Sequence, residues 1–314
     1  MNVVVTGATS FIGSVTVRQL LEQGHVVCAV VRPGTKNLNN LIKKIPAGCE
    51  NGLVMAKLDM AEIERLPEVM TELRRPRWDA FVHIGWDGAG SDNRTKRDVQ
   101  QTNVQHSLAA LRAAADLGCA KFLFTGSQAE YGVYHQWITE EMACHPVSEY
   151  GKAKAEFANR AKTLCKILKM EYIHTRIFSV YGPGDHPWSL VQTCLKTWQQ
   201  GGEMKFGECT QQWNFLYIED AAAALIALLM HSKGGFYNVA GKDTRVLRSY
   251  IQEMYALCGS RGSFVYGERP QNAEGPADLM PDISKICGET GWRPVTPFAE
   301  GIYETLHSLR EGTA

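Results

Sequence analysis

A tyrosine and a lysine four positions apart carry the clearest chemical signal in this sequence. Tyr150 and Lys154 lie in Tyr-Gly-Lys-Ala-Lys, and on a helix this spacing places both side chains on one face. A free phenol has a pKa of about 10, so only about 0.1% of it is ionised at pH 7. A fixed ammonium beside the phenol favours the ionised form and makes it a usable general acid or base. The alternative is an ordinary helix, since this spacing also occurs without any function.

A small hydroxyl precedes this pair in the chain. Ser127 follows F-L-F-T-G at 122–126, and the apolar part of that segment predicts a buried strand over 121–125. The Ser127 hydroxyl could therefore hydrogen-bond the carbonyl or hydroxyl oxygen on which Tyr150 acts. Its alternative role is to cap or form the turn after the strand.

A glycine-containing turn near the start of the chain is the second candidate site. The segment V-V-V-T-G-A-T-S-F-I-G at 3–13 begins with a β-branched run that predicts a strand buried on both faces. From Ile12 onward, apolar residues recur at helical spacing, so a helix starts just after Gly7. Because a helix N-terminus presents unpaired N–H groups and positive dipole charge, this turn can hold a pyrophosphate. The alternative is an ordinary strand–turn–helix in which glycine serves only to reverse the chain.

The composition excludes several classes of function. With 33 Lys plus Arg and 33 Asp plus Glu in 314 residues, no overall charge attracts the protein to nucleic acid or to an anionic membrane. The nine cysteines are scattered without zinc or CxxC spacing, so we expect no metal site and a reducing environment. The chain opens directly into a strand, without a signal-peptide pattern, and its longest apolar run, over 221–230, is too short to span a bilayer. These observations predict a soluble cytoplasmic protein without a membrane partner.

Alternating strands and helices position both candidate sites. Strands are predicted over 3–5, 26–31, 53–58, 80–84, 121–125 and 172–177, and helices from residue 12 up to Gly24 and over 62–75, about 95–117 and 150–168. Because the connections are short, this order predicts an α/β fold with a doubly wound parallel sheet of the Rossmann type. Ligands bind at the carboxyl ends of the strands in such sheets.

The pattern loosens after Y-G-P-G at 181–184. Helices are predicted over 188–200, 219–231, about 246–258 and 297–310, with extended segments over 215–218 and 237–239. We interpret this half as a smaller lobe, interleaved with the sheet, that covers the ligand site. The predicted dinucleotide-binding domain comprises 1–178 and 213–240, and the predicted substrate-binding lobe comprises 179–212 and 241–314.

Several motifs in a fixed order resemble one enzyme family over nearly the whole chain. They are T-G-A-T-S-F-I-G at 6–13, L-D-M at 58–60, V-H-I-G at 82–85, Asn103, S-Q-A-E-Y-G at 127–132, Y-G-K-A-K at 150–154, R-I-F-S-V-Y-G-P-G at 176–184, N-F-L-Y-I-E-D at 214–220 and Y-N-V-A-G at 237–241. Together they resemble the extended short-chain dehydrogenases/reductases, the nucleotide-sugar epimerase/dehydratase family.

The resemblance assigns roles to the reactive residues. By it, Tyr150 exchanges a proton, Lys154 lowers the pKa of Tyr150 and holds the nicotinamide ribose, and Ser127 orients the substrate oxygen. Asn103 would support Lys154 through backbone or water contacts, or else be a polar contact of its helix.

The resemblance also implies a cofactor site and an assembly. Gly7 and Gly13 would flank the pyrophosphate, with Ser10, Phe11 and Ile12 in the same turn. Asp59 and Met60 would lie along the adenine, and Gly85 would let the backbone approach the cofactor. The helices over about 95–117 and 150–168 would pair with their copies in a homodimer.

Three departures from the family pattern bear on the cofactor and the reaction. Ser10 replaces the usual middle glycine, so the approach of the backbone to the pyrophosphate is altered. Val31-Arg32 replaces the expected carboxylate, and an arginine can pair with a 2′-phosphate, which favours NADP(H) with NAD as the alternative. Otherwise Arg32 is a solvated strand end. Gln128-Ala129 replaces the Asp-Glu pair of the sugar dehydratases, which argues against elimination of water.

Positions expected to contact the substrate also depart from the pattern. Ser179 replaces an asparagine, and Trp213 with Asn214 replaces the Arg-Asp pair whose arginine binds the diphosphate. Trp213 would stack on a base or sugar, or else belong to the core. Arg269 matches a second phosphate-binding arginine. The remaining candidates for substrate contact are Trp86 and Gln128.

The sequence therefore favours a reductase of a nucleotide-linked sugar, with an NAD-dependent epimerase as the first alternative. A non-catalytic cofactor-binding regulator and a reductase of a non-sugar carbonyl stay open. The complete set of Ser127, Tyr150 and Lys154 argues against the regulator, because a sensor has no need of all three.

Overall fold

A computed structural model of the protein describes residues 1–72, 77–90, 93–269 and 277–311. The strands are β1 (Asn2–Thr6), β2 (Val26–Val31), β3 (Leu53–Lys57), β4 (Ala80–His83), β5 (Lys121–Ser127), β6 (Glu171–Ile177), β7 (Ser179–Tyr181), β8 (Glu203–Lys205), β9 (Gln212–Tyr217), β10 (Gly235–Val239), β11 (Thr244–Val246) and β12 (Ser263–Val265). The helices are α1 (Phe11–Glu22), α2 (Leu38–Ile42), α3 (Leu66–Glu72), α4 (Arg97–Asp116), α5 (Glu149–Ile167), α6 (Leu190–Gln199), α7 (Ile218–His231), α8 (Leu247–Leu257), α9 (Ser284–Thr290) and α10 (Phe298–Glu311). Short 3₁₀ helices cover Glu50–Gly52, Met60–Arg65 and Gln128–Glu130.

A seven-stranded parallel sheet forms the centre of the molecule. Its strand order is β10-β6-β5-β4-β1-β2-β3, and β1 lies between β2 and β4, with Val4 opposite Cys28 on one side and Phe81 on the other. The order of the first six strands is that of a doubly wound dinucleotide-binding sheet. The predicted α/β fold class is therefore confirmed, and the carboxyl ends of β1, β4 and β5 lie next to one another at one edge.

Both faces of this sheet are covered by helices, as the unbroken apolar strands require. Val3 and Val5 pack in one apolar cluster with residues of α1 and α7, whereas Val4 packs in a second cluster with residues of α4 and α5. All three valines are fully buried. Each contributes about 1.5–3 kcal/mol through burial, so β1 is firmly anchored under the turn that follows it.

The second half of the chain builds smaller sheets and then returns to the main one. β9 pairs in parallel with β7 and in antiparallel with β11, and β12 pairs with β8. The helices α6, α8 and α10 enclose a third apolar cluster around Trp198 and Tyr250. α7 packs on the main sheet, and β10 extends that sheet beside β6. The division into the two predicted domains stays a prediction.

The elements that differ from the predicted ones are short. The helix predicted over 62–75 is a 3₁₀ turn, Met60–Arg65, followed by α3, and its residues 73–75 lie outside the described ranges. The helices α2 and α9 and the strands β7, β8, β11 and β12 were not predicted, because three to seven residues are too few to show a period. Within the described ranges, no helix is long and apolar enough to cross a membrane.

Candidate active site

The turn between β1 and α1 is built around two glycines and a serine. The Ser10 N–H donates to the Gly7 carbonyl at 2.9 Å, and the Ser10 hydroxyl accepts the Gly13 N–H at 3.1 Å, which caps α1. Gly7 has a φ of +65°, and a Cβ on it would lie 2.7 Å from the Gly85 nitrogen. A Cβ on Gly13 would overlap the Gly7 carbonyl oxygen. Glycine is therefore required at both positions, and Ser10 serves as the helix cap where the family pattern has glycine.

The N–H groups at the start of α1 can bind an anion. The first intrahelical hydrogen bond of α1 runs from the Ser14 N–H to the Ser10 carbonyl at 3.0 Å, so the N–H groups of Phe11 and Ile12 precede the helical ladder. Such N–H groups together with the helix dipole favour a phosphate group. The tight glycine packing is the form expected for a dinucleotide pyrophosphate site.

Beside this turn, Arg32 and Asp59 follow β2 and β3. Their side chains are 63% and 44% exposed, and Arg32 Nε lies 3.5 Å from Asp59 Oδ2. The Asp59 carboxylate also accepts the Ala61 N–H at 3.0 Å, which caps the 3₁₀ helix that contains Met60. The Met60 side chain packs against Gly85. These four predicted cofactor residues therefore lie together along the edge of the sheet.

The predicted catalytic residues lie at the end of β5 and in the first turns of α5. The Ser127 hydroxyl accepts the Ala129 N–H at 3.2 Å, so Ser127 forms the turn as well as being a candidate for substrate contact. Lys154 Nζ donates to the Thr125 carbonyl at 2.7 Å. Tyr150 lies in the first turn of α5, and it is 8% exposed. The predicted catalytic roles of these residues stay predictions.

Aromatic rings enclose the Lys154 ammonium. Its Nζ lies 4.0 Å from the ring centre of Trp86 and 4.4 Å from that of Phe124, and the residue is 2% exposed. Burial lowers the pKa of Lys154 from its usual 10.5 to about 7, against the opposing charge of Glu130, and Arg94 lowers the pKa further. A lysine that titrates near neutral pH is typical of acid–base centres.

Two buried amides of α4 hold the loop that carries Trp86. Gln100 accepts the Trp86 Nε1–H at 2.9 Å. Asn103 accepts the Asp87 N–H at 2.9 Å and donates to the Asp87 carbonyl at 2.8 Å. Asn103 therefore bonds the loop next to Trp86, which contacts Lys154. The predicted support of Lys154 by Asn103 stays a prediction.

A buried carboxylate under Ser127 was not predicted as a site residue. Glu130 is fully buried and accepts the Ser127 N–H at 2.8 Å, and it lies 2.9 Å from His174 Nε2 and 3.2 Å from Arg176 Nε. Burial alone raises the pKa of Glu130, but His174, Arg176 and the Ser127 N–H together lower it. The motif S-Q-A-E-Y-G at 127–132 contains this residue, but no spacing rule links it to His174 or Arg176.

Arg94 is a second residue that sequence reasoning missed. Its guanidinium carbon lies 4.3 Å from the centre of the Tyr150 ring, and its carbonyl accepts the Tyr150 N–H at 2.9 Å. In the sequence Arg94 belongs to a polar segment before a helix, and nothing there distinguishes it from its basic neighbours Lys96 and Arg97.

A cavity of about 610 Å³ opens next to the Ser127 turn. Three of the predicted substrate residues line it: Gln128, Trp213 and the exposed Arg269. Among the described residues, the buried Trp213 Nε1–H has no hydrogen-bond partner. The other two predicted residues lie elsewhere, since Trp86 covers Lys154 and Ser179 pairs with Phe215 inside the second sheet.

Solved structures and known sequences resemble this chain over nearly its full length. The chain is 25% identical over 338 aligned residues, 99% of its length and 100% of the other, to a protein of Bacillus subtilis (strain 168) described as an uncharacterized UDP-glucose epimerase. It is 26% identical to UDP-glucuronic acid decarboxylase 1 of Xenopus tropicalis, over 98% of this chain and 72% of that protein. The crystal structure of a Thermotoga maritima UDP-glucose 4-epimerase with UDP-glucose superposes with a TM-score of 0.87 at 22% identity, and covers 100% of both chains.

The profile of one family matches most of this length. The match runs over residues 3–240 and therefore includes the glycine turn, the β4 loop, the Ser127 turn and the first turn of α5. The motif order in the sequence and the strand order of the sheet agree with it. The chain belongs to the NAD dependent epimerase/dehydratase family.

Proposed function

We propose that this protein is an NAD(P)-dependent oxidoreductase that reduces the keto group of a nucleotide-linked sugar. The observation that carries the proposal is the position of Lys154, which is buried one turn from Tyr150 and bonded to the strand that ends at Ser127. The glycine turn fits a dinucleotide, since a Cβ on Gly7 or Gly13 would fill the space that its backbone needs. A bound nicotinamide supplies the hydride in this chemistry.

The proposed mechanism assigns one task to each residue of the site. Tyr150 donates its phenolic proton to the substrate oxygen as that oxygen gains negative charge. Ser127 donates a hydrogen bond to the same oxygen and holds it in place. Once Tyr150 has donated its proton, the Lys154 ammonium stabilises the resulting phenolate. Deprotonated Lys154 has no charge and cannot do so.

A nucleotide-linked sugar is the proposed substrate class. The cavity beside Gln128 is large enough for such a ligand, and Trp213 offers an aromatic face and a buried N–H. Arg269 at its border is the proposed partner of a phosphate group. We keep Trp86 and Ser179 as weaker candidates for substrate contact. Support comes from the related folds, which include a structure bound to UDP-glucuronic acid and NAD.

NADP(H) is the proposed cofactor, with NAD(H) as the alternative. Arg32 is exposed beside the adenine end of the site, where a guanidinium can pair with a 2′-phosphate. Its ion pair with Asp59 is exposed and long, so it competes only weakly with a phosphate. Several related structures contain NAD, which is what the alternative predicts.

Replacement of Arg32 tests this cofactor choice. We expect Arg32→Ala to weaken NADPH binding about 10- to 100-fold, because a charged hydrogen-bonded pair contributes about 1.5–3 kcal/mol, and to leave NADH binding nearly unchanged. Isothermal titration of both cofactors on both proteins measures the difference, with the exposed Arg65→Ala as the control. Equal affinity of the unmodified protein for NADH and NADPH would remove the basis of this choice.

An NAD-dependent epimerase is the second candidate function. It is favoured by the full-length similarity to the protein described as a UDP-glucose epimerase. Tyr150 and Ser127 would keep the same roles in it. Identification of the dinucleotide that co-purifies, by mass spectrometry and fluorescence, separates the candidates, since retained NAD⁺ indicates epimerisation and exchangeable NADPH indicates net reduction. The absence of turnover with any nucleotide sugar would leave the non-sugar reductase or the non-catalytic regulator.

Localisation and assembly complete the proposal. A cytoplasmic location is supported by the cysteines, all nine of which are free. A homodimer through α4 and α5 is the proposed assembly, and light scattering of the purified protein tests it. The proposed division assigns 1–178 and 213–240 to cofactor binding and 179–212 and 241–314 to substrate binding.

A further inference from the structure

The described residues of the loop between β4 and α4 are bonded to a buried side chain of α4. Gln100, which is 1% exposed, donates to the Gly88 carbonyl at 3.0 Å and to the Asn93 carbonyl at 2.9 Å. The same amide accepts the Trp86 Nε1–H. Because one buried side chain bonds three points of the loop, the backbone on both sides of residues 91–92 is held in one arrangement.

This arrangement brings Arg94 onto Tyr150. The Tyr150 N–H donates to the Arg94 carbonyl at 2.9 Å, which ties the start of α5 to the loop. The Arg94 guanidinium carbon lies 4.3 Å from the centre of the phenol ring. Lys154 Nζ lies 5.6 Å from the same centre, so Arg94 and Lys154 both place a cationic group near the phenol.

Lys154 and Arg94 differ in the pH at which they lose their proton. Lys154 is enclosed by apolar rings, and burial lowers its pKa to about 7, so it loses its proton within the working pH range of most enzymes. A guanidinium stays protonated throughout that range. Arg94 therefore provides the positive charge that persists beside the phenol at neutral and alkaline pH.

We propose that Arg94 is a positioning residue of the acid–base centre, whose guanidinium fixes the Tyr150 ring and favours the ionised phenol. The inference deepens the proposed function, because it assumes that Tyr150 exchanges the proton. Removal of the Arg94 charge makes the phenol a weaker acid, which slows proton donation to the substrate oxygen.

Other ionisable groups act on the same centre. The charge of Glu130, in the Ser127 turn, raises the pKa of Lys154. The charge of Lys154 in turn lowers the pKa values of His83 on β4 and His174 on β6. Burial lowers the pKa of both histidines, so neither adds a positive charge at neutral pH. On α5 itself, Glu149 precedes Tyr150 and is paired with Lys152 at 2.7 Å. All of these groups are unchanged in an Arg94 variant.

Titration of the Tyr150 phenol tests this proposal without any substrate. The tyrosinate absorbance of the native protein minus that of Tyr150→Phe isolates this residue, and the same subtraction is made in an Arg94→Gln background. We expect the midpoint to rise by about one pH unit or more in Arg94→Gln, since a unit charge a few ångströms away is worth that much at a partly buried site. Arg97→Gln, at the exposed start of α4, is the matched control and should leave the midpoint unchanged.

The same variant should change the pH profile of turnover. The alkaline limb of kcat moves to higher pH by the same shift, because Tyr150 must be protonated to act as the acid. Arg94→Met keeps apolar contact with the ring and replaces Arg94→Gln if the latter does not fold. An unchanged Tyr150 midpoint in a folded Arg94 variant overturns the proposal, and a rise in KM alone would then make Arg94 a substrate contact. If the native protein turns over no nucleotide sugar, the proposed function fails, while the titration still decides the effect of Arg94 on Tyr150.

Discussion

Lys154 is the residue at which stability and proposed function conflict most directly. Its ammonium is covered by Trp86 and Phe124, and it donates a hydrogen bond to the Thr125 carbonyl. An unfolded chain exposes this amine to water, where it holds its proton up to high pH. The folded site therefore favours the neutral amine, and the charged form that would assist Tyr150 in the proposed mechanism is held at a cost in folding free energy.

This conflict predicts a pH dependence of stability. The pKa of Lys154 is about 7 in the folded protein and 10.5 when the side chain is exposed, so between these values the unfolded chain binds more protons. The free energy of unfolding therefore rises with pH from about 7 to about 10.5 and keeps its full penalty below that window. We expect Lys154→Met to flatten this rise, as measured by urea denaturation at several pH values.

The neighbouring lysine provides the control for that experiment. Lys152 lies on the same helix, and its side chain is 52% exposed. Lys152→Met should leave the pH dependence as it is in the native protein, since its side chain is exposed. If Lys154→Met and the native protein show the same slope across the window, Lys154 is not destabilised by burial.

At the scale of elements, the site depends on how closely β1 and α1 approach each other. Gly13 lies inside α1, yet a Cβ on it would overlap the Gly7 carbonyl. Gly288 lies inside α9, and a Cβ on it would meet open space. The two glycines are a matched pair, because both are helical and only one packs against the turn.

Alanine substitution at these two positions separates the effect of helix propensity on stability from the effect of turn packing on cofactor binding. Gly13→Ala should weaken dinucleotide binding more than 10-fold, because the turn must move away from the pyrophosphate. Gly288→Ala should leave binding unchanged and stabilise the protein by about 0.5–1 kcal/mol. Cofactor titration with thermal denaturation checks both. Unimpaired binding by Gly13→Ala would show that the turn is not the pyrophosphate site.

The elements also show which parts of the structure sequence reasoning could predict and which it could not. The core strands, such as Val26–Val31, are apolar runs between clear turn signals, so their order and the fold class were predictable. The three-residue strands β8, β11 and β12 are fixed by pairing with distant segments. The same holds for Arg94 and Glu130, whose positions depend on contacts with Tyr150 and Arg176 that no local pattern encodes.

At the scale of the whole molecule, the cavity lies where the main sheet meets the second half of the chain. Trp213 on β9 lines this cavity and also packs against two apolar clusters. One side chain therefore contributes both to the cavity wall and to the apolar core. Truncation of Trp213 shows which of these two contributions matters more. Trp198 is fully buried in the third cluster, so it serves as the control for truncation of a core tryptophan.

The two tryptophans should respond differently to truncation. We expect Trp213→Ala to raise the KM for the nucleotide sugar several-fold and to lower the melting temperature by only a few degrees, as about 1 kcal/mol would. Trp198→Ala should cost about 3–5 kcal/mol of stability, as buried aromatic residues do. Steady-state kinetics and thermal denaturation measure the two effects. A collapse of stability in Trp213→Ala with unaltered KM would assign that residue to the core.

The most direct test of the central claim follows a labelled hydride. The protein is mixed with NADPH that carries deuterium at the transferred position of the nicotinamide and with a UDP- or dTDP-linked 4-keto sugar, and the product mass is measured. The native protein should transfer the deuterium to the sugar, whereas Tyr150→Phe should retain less than about a tenth of this rate, since loss of the proton donor raises the barrier by more than about 1.4 kcal/mol. The experiment is repeated with the label on the other face of the nicotinamide. A native protein that transfers deuterium from neither face, but interconverts UDP-glucose and its 4-epimer, would contradict net reduction and establish the epimerase.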